Sequence, residues 1–187
     1  MTKFVASVVE FIDRLNNAIG KITAFFALAI VLIQFIVVLL RYVFGIGSIF
    51  IQESIIYAHA ILFMVGAGYT LLQDGHVRLD IFYRAASRRK KDLINLIGSV
   101  TCLLPMSILI WVYSWPYVAQ SWRVLESSKE TSGIPAVFLL KTMILIFAGL
   151  LFAQGLSLAL RSLFGLIGRP LTPFVIRPPS TNSNVTL

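Results

Sequence analysis

Four uncharged apolar runs constrain this chain more strongly than any other feature of its sequence. They cover residues 22–40, 54–73, 93–122 and 142–160, and none contains Asp, Glu, Lys or Arg. A helix of about 20 apolar residues spans the roughly 30 Å hydrocarbon core of a bilayer. The sequence therefore predicts an all-α integral membrane protein with four transmembrane helices, which form one membrane domain over residues 22–165.

The composition leaves no room for a soluble catalytic domain. Of the 187 residues, 58% are hydrophobic, whereas soluble domains are about 45–50% apolar. The net charge of +8 comes from basic residues in the loops beside the runs, where membrane topology explains it without a nucleic-acid partner. The single Cys102 lies inside the third run and can form no internal disulfide, so we expect it to pack as a small apolar residue.

The distribution of Lys and Arg predicts the orientation of the chain. With the N-terminus in the cytoplasm, twelve basic residues fall on the inner side and four on the outer side. Cytoplasmic loops of membrane proteins carry the excess of Lys and Arg, so we expect both termini in the cytoplasm. The four outer basic residues are Arg41, Arg123, Lys129 and Lys141.

Two flanking segments differ from the apolar runs. Residues 1–21 have apolar side chains at three- and four-residue spacing, which predicts an amphipathic helix in the cytoplasmic interface. Alternatively, this segment is simply the beginning of the first transmembrane helix and not a separate interfacial helix. Residues 166–187 end in a stretch rich in Pro, Ser, Thr and Asn and predict a flexible cytoplasmic tail. The polar face of the amphipathic segment holds Glu10, Asp13, Arg14 and Asn17.

Polar groups inside the four runs are few. Gln34, His59 and Gln154 are the main ones. A haem site between membrane helices needs two axial ligands, and His59 stands alone. A small stand-alone transporter needs charged groups along its pathway, and the runs have none. We therefore predict no catalytic, cofactor-binding or metal-binding residues and no enzyme activity.

Small residues recur at four-residue spacing on two of the predicted helices. Such spacing lets helices approach closely in lipid, where packing drives association. The sequence leaves open whether these residues serve the internal bundle or a larger partner. They are Gly66 in the second run and Gly149, Ala153 and Ser157 in the fourth.

The loops carry the most distinctive residues. Arg41 and Glu53 flank the first loop, where an ion pair between them can fix the hairpin and ordinary snorkelling can also explain each. The second loop begins with an Asp74-Gly75 turn, and its basic residues can simply face lipid phosphates. The third loop can dock a soluble partner or merely cap the bundle. Its charged residues are Glu126, Lys129, Glu130 and Lys141.

These loop residues resemble a known family, the small membrane (Q, or DctQ-like) subunit of tripartite ATP-independent periplasmic (TRAP) transporters. The resemblance covers roughly residues 10–165 and rests on short motifs, of which the stretch 75–80 is the most specific. Family members often have a Trp and paired acids before the second span, whereas this chain keeps only Glu53. The matching residues are Arg41 to Phe44, Glu53, and Gly75, His76, Arg78 and Asp80, with the Gly133-Ile134-Pro135 turn.

The resemblance implies a function that the helices alone do not. In such systems a periplasmic binding protein captures an organic acid, and a large (M, or DctM-like) membrane subunit moves it by an elevator motion coupled to an ion gradient. The resemblance implies that this chain is an inner-membrane scaffold that braces the large subunit and helps to dock the binding protein. The alternative is a membrane-anchor or redox subunit of an oxidoreductase.

Overall fold

The computed structural model describes residues 2–76, 83 and 86–171, and within that part of the chain every regular element is helical. Four helices are long and apolar enough to cross a membrane: α1 (Thr2–Val43), α2 (Ile49–Leu72), α3 (Arg88–Arg123) and α4 (Val137–Leu166). Each predicted span lies within one of these helices, apart from Gln73 at the end of the second run. The prediction of an all-α protein with four membrane-length helices is therefore confirmed.

Helix α1 is a single uninterrupted helix that joins the predicted amphipathic segment to the first span. Its 42 residues extend about 63 Å at the usual rise of about 1.5 Å per residue, roughly twice the thickness of the hydrocarbon core. The position of residues 1–21 relative to a membrane surface stays a prediction.

Helices α1 and α2 form a close antiparallel hairpin. Ser48 caps α2 by accepting a hydrogen bond from the Ile51 amide at 3.4 Å. Further along, a Cβ at Gly20 would overlap the Tyr69 ring, and one at Gly68 would overlap the Asn16 side chain. Gly68 also lies against the Leu150 carbonyl of α4, so the absence of side chains at these two glycines lets three helices meet.

Two of the helices contain a π-helical turn, at Ile61–Val65 in α2 and at Ser99–Leu103 in α3. The turn in α3 lies directly before Pro105, where the sequence predicts a distortion. Proline has no amide hydrogen and its ring collides with the preceding helical turn, so the hydrogen-bond ladder shifts there. Leu104 accordingly donates to the Ser99 carbonyl, five residues back.

Helix ends follow the turn signals of the sequence. Helix α2 stops at Leu72, and Asp74 in the turn has a φ of 56°, as the Asp74-Gly75 pair predicts. Helix α4 ends at Leu166, and the φ of 80° at Gly168, two residues later, brings the Arg169 amide to 3.0 Å from the Phe164 carbonyl. This is a Schellman motif, which favours glycine because of its left-handed backbone.

Helix α4 is the central helix and packs against each of the other three. In the most apolar 18-residue window of each helix, 33% of residues are buried in α4 and only 6% in α1. Many large apolar side chains of α1 therefore face outward, Phe4, Phe11 and Phe25 among them. Cys102 is exposed on α3, so its expected packing as a small apolar residue is not made inside this bundle.

Candidate functional site

One end of the bundle carries the best-organised loop of the described chain. We call this end of the bundle the Glu53 end, and it comprises residues 41–53 and 123–141. The Glu53 carboxylate, in the first turns of α2, accepts hydrogen bonds from the Ser128 hydroxyl and from the Ile134 amide, the latter at 2.6 Å. Ser128 and Ile134 belong to the loop between α3 and α4. Glu53 thus ties that loop to the neighbouring hairpin.

A second contact fixes the same loop to α3 and α4. Lys141 forms an ion pair with Glu126 at 2.5 Å, and its ammonium lies 3.9 Å from the centre of the Tyr117 ring. The hydrogen bond from Lys141, with a smaller effect of the Ser121 hydroxyl, lowers the pKa of Glu126 below its ordinary value. Close by, the Trp122 indole donates to Thr142 at 2.9 Å. The loop is therefore attached at both of its ends.

The suggested ion pair between Arg41 and Glu53 is not formed, since Glu53 bonds to the loop instead. Arg41 lies exposed at the end of α1. Lys129 and Glu130 are exposed in the loop, whereas Glu126 and Lys141 are partly buried in their mutual contact. The four residues predicted to dock a partner thus divide into a pair that holds the loop and a pair that faces outward.

The most specific motif of the sequence lies at the opposite end. Gly75 follows α2, and its amide donates to the Thr70 carbonyl at 2.9 Å. His76 is exposed in the next bend. Arg78 and Asp80 lie outside the described residues. The predicted role of the 75–80 stretch in fixing this hairpin stays a prediction.

A buried polar cluster near that same end was missed by the sequence analysis. Asp13 of α1 is completely buried and accepts hydrogen bonds from Gln154 at 3.0 Å and from Ser157 at 2.8 Å. It also pairs with Arg161 of α4. Asn16, one turn later, donates to the Gln154 side-chain oxygen at 2.9 Å. We call these five residues the Asp13 cluster.

The Asp13 cluster corrects the predicted faces of the amphipathic segment. Asp13 faces the bundle rather than the polar side of an interfacial helix, and Phe4 and Phe11 are 73% and 67% exposed. The misassignment arose because the helical wheel assumes that apolar residues face inward. In a membrane protein lipid is as apolar as the interior, so polar groups can bond across helices inside while phenylalanines face out. Asp13 and Arg161 lie outside the predicted spans 22–40 and 142–160, so they are not among the polar groups expected inside the membrane.

The predicted small residues lie along contacts between helices. Gly66 faces Thr23 of α1, and Gly149 lies beneath the Trp111 ring, 3.1 Å from the position of an added Cβ. Ser157 belongs to the Asp13 cluster, and Ala153 is half-buried one turn before it. The contacts of Gly66, Gly149 and Ser157 agree with a packing role for these residues within the bundle.

The chemistry of these groups is structural. Among the described residues no three His, Cys, Asp or Glu side chains are grouped so as to hold a metal ion. His59 is exposed and bonds to the Ile55 carbonyl of its own helix at 3.1 Å. The Asp13 carboxylate is occupied by three protein donors. The chain is thus a small four-helix membrane protein in which buried polar residues join α1 to α4 and Glu53 holds the loop between α3 and α4.

Comparison with known proteins identifies the family. The model of the family described as tripartite ATP-independent periplasmic transporters, DctQ component, matches residues 30–165. The match covers well over half of the chain, which therefore belongs to this family, the DctQ component of TRAP transporters. This family is a transporter component of the inner membrane, not an enzyme, so the oxidoreductase alternative is not favoured.

One curated relative is also similar. The C4-dicarboxylate TRAP transporter small permease protein DctQ of Vibrio cholerae serotype O1 is 30% identical over 115 residues, which cover 60% of this chain and 47% of that protein. The chain thus matches about half the length of this relative. No solved structure matches the chain.

Proposed function

We propose that this chain is a scaffold subunit that braces the large membrane subunit of a TRAP transporter and helps to dock its periplasmic binding protein. In this proposal both termini are cytoplasmic and the Glu53 end faces the periplasm. The complex takes up organic acids by ion-gradient-driven symport, and the large subunit carries the substrate. The relative in Vibrio cholerae is named for C4-dicarboxylates, which is the substrate class we propose to test first.

The bracing role is supported by the distribution of apolar surface. Helix α1 buries little of its apolar length within the chain, and Phe4, Phe11 and Phe25 are exposed on one outward face of it. A face of this length, about 32 Å at the usual helical rise, is available to a neighbouring membrane protein. The buried polar groups of the Asp13 cluster bond to one another between α1 and α4.

The docking role is supported by one observation above all, the attachment of the 124–136 loop by Glu53. A loop that is already fixed loses less conformational entropy when it meets a partner. Glu53 bonds to this loop at Ser128 and Ile134, and Glu126 bonds to Lys141 at its base. The surface that faces outward at this end is therefore preorganised for binding.

The proposal is tested with the complete transporter reconstituted in liposomes. Replacing Glu53 by Gln weakens the hydrogen bonds from Ser128 and Ile134, so we expect slower uptake of a C4-dicarboxylate and weaker binding of the periplasmic protein. The matched control is Glu10→Gln, which removes an exposed charge at the other end of the bundle. Co-purification with the large subunit should be unchanged in both variants.

Two outcomes would contradict the proposal. If the chain purifies without a large membrane subunit and transports the substrate alone, it is not a scaffold. If Glu53→Gln loosens the loop and binding of the periplasmic protein stays the same, the docking role is wrong.

A further inference from the structure

The charges at the Glu53 end divide into those used within the chain and those left facing outward. Glu53 and Glu126 are both bound to groups of the chain, as is Lys141. The side chains of the remaining charged residues of this end are all exposed and form no hydrogen bond or ion pair with the described part of the chain. They are Arg41, Arg123, Lys129 and Glu130.

The outward-facing groups are therefore three cations and one carboxylate. Arg41 and Arg123 each lie in the last turn of a helix, where the helix dipole favours a positive charge. Lys129 lies in the loop and in no helical turn, and the helix dipole does not account for its charge. In the proposed orientation these cations also lie on the side of the membrane where Lys and Arg are scarce.

The anchored loop holds these charges in place. Ser128, next to Lys129, is bound to Glu53, and its hydroxyl also accepts from the Glu130 amide at 3.2 Å. Lys129 is thereby placed on a fixed turn above the end of α2. Charges that are fixed before binding steer a partner more effectively than charges on a flexible segment, because less order must be imposed on association.

We propose that Arg41, Arg123 and Lys129 form a cationic surface that binds an acidic patch on the soluble partner protein. This inference rests on the proposed docking role and deepens it by naming the charge of the partner's surface and the residues that meet it. Complementary charges raise the rate of association and make it sensitive to salt. Glu126 and Lys141, in contrast, act by holding the loop and do not contact the partner.

The test measures association of the purified binding protein from the same transport system with the complete transporter in nanodiscs of neutral lipid. The variant combines Arg41→Glu, Arg123→Glu and Lys129→Glu, and Lys129→Glu alone is the version least able to disturb folding. We expect the association rate of the triple variant to fall about 10-fold or more at low salt, with most of the difference lost near 0.5 M salt. Removing outer cations strengthens the bias of Lys and Arg to the inner side, so the topology should be retained.

Glu130→Lys is the matched control of opposite sign, because it removes the exposed carboxylate from the same turn. We expect it to speed association about two- to threefold. If the wild-type transporter docks the binding protein and reversing these charges changes neither the rate nor its salt dependence, the cationic surface is wrong while the docking role stands. If the wild type does not bind it at all, the docking role itself fails.

A further outcome concerns lipid. Anionic headgroups can also attract exposed Arg and Lys near a membrane. If the triple variant retains less anionic lipid but associates with the binding protein as the wild type does, these cations meet phosphates and the proposal is overturned.

Discussion

Asp13 is the residue whose position departs most from the sequence pattern. Buried charges are costly unless paired and hydrogen-bonded, and Asp13 meets this condition through Gln154, Ser157 and Arg161. Its partners lie more than 140 residues away in sequence, so local periodicity carries no sign of them. Gln154 was recognised as a polar group within a span, but its partners were not predictable from spacing.

Breaking the pair between Asp13 and Arg161 should lower the stability of the isolated chain. Asp13→Leu removes a buried carboxylate together with its bonds to Gln154, Ser157 and Arg161, and we expect a loss of about 3–5 kcal/mol in the free energy of unfolding. Denaturant unfolding in detergent, followed by circular dichroism, measures the change.

The matched control for this pair is Glu10→Ala, at an exposed position of the same helix. Glu10 pairs with Arg14, but both side chains are more than half exposed, so the pair contributes little. An Asp13→Leu variant as stable as Glu10→Ala would show that the Asp13 cluster does not support the fold.

At the scale of elements, the helices were predictable and the loop between α3 and α4 was not. Uncharged runs of sufficient length specify helices in a membrane, because lipid offers no partner to unpaired backbone groups. The loop owes its conformation to Glu53, which lies 75 residues from Ser128 and 81 from Ile134. The sequence identified Glu53 as distinctive but suggested the nearer Arg41 as its partner.

Attachment of this loop should resist mild acid. The pKa of Glu126 is lowered from its ordinary value of 4.5 by the hydrogen bond from Lys141. Because the pKa of this carboxyl is lower in the folded state, the carboxylate stabilises the attached loop fully at pH values above the ordinary pKa. This stabilisation is lost as the pH falls through the lowered pKa. We therefore expect the loop to stay attached from pH 8 to 5 and to loosen only below about pH 4.

A spin label at position 127 measures this transition. Ser127 is exposed in the loop, and a Ser127→Cys, Cys102→Ser variant offers one labelling site. Label mobility should rise in acid, and Glu126→Gln should reduce the rise, because its amide does not titrate while Glu53 remains as a second carboxylate that holds the loop. A mobility change that begins near neutral pH would rule out Glu126 as the group responsible.

At the scale of the whole molecule, the chain consists of a central helix α4 with the other helices around it. Helix α4 contacts Trp111 of α3, Gly68 of α2 and Asp13 of α1. Residues 2–19 of α1 lie before the first predicted span, yet they supply Asp13 and Asn16 to this interior. The segment is therefore part of the bundle, which matters for the choice of any truncated form.

Deletion of residues 2–19 should destabilise the chain even though all four predicted spans remain. Gln154, Ser157 and Arg161 would lose their partners on α1, and we expect a lower melting temperature and faster proteolysis around α4. Deletion of residues 172–187, the larger part of the predicted tail, is the control and should leave the melting temperature unchanged. Equal stability of the two truncated chains would favour an independent interfacial helix at the N-terminus.

The sequence by itself determined the membrane location, the four helices, the turn at Asp74-Gly75, the distortion before Pro105, and the family. These features depend on local composition and on short motifs, which are read directly along the chain. Only the tertiary structure decided which polar residues meet: Asp13 with Arg161, and Glu53 with the loop rather than with Arg41. The physical reason is that membrane helices have apolar surfaces on all sides, so hydrophobicity specifies their presence but not the faces on which they pack.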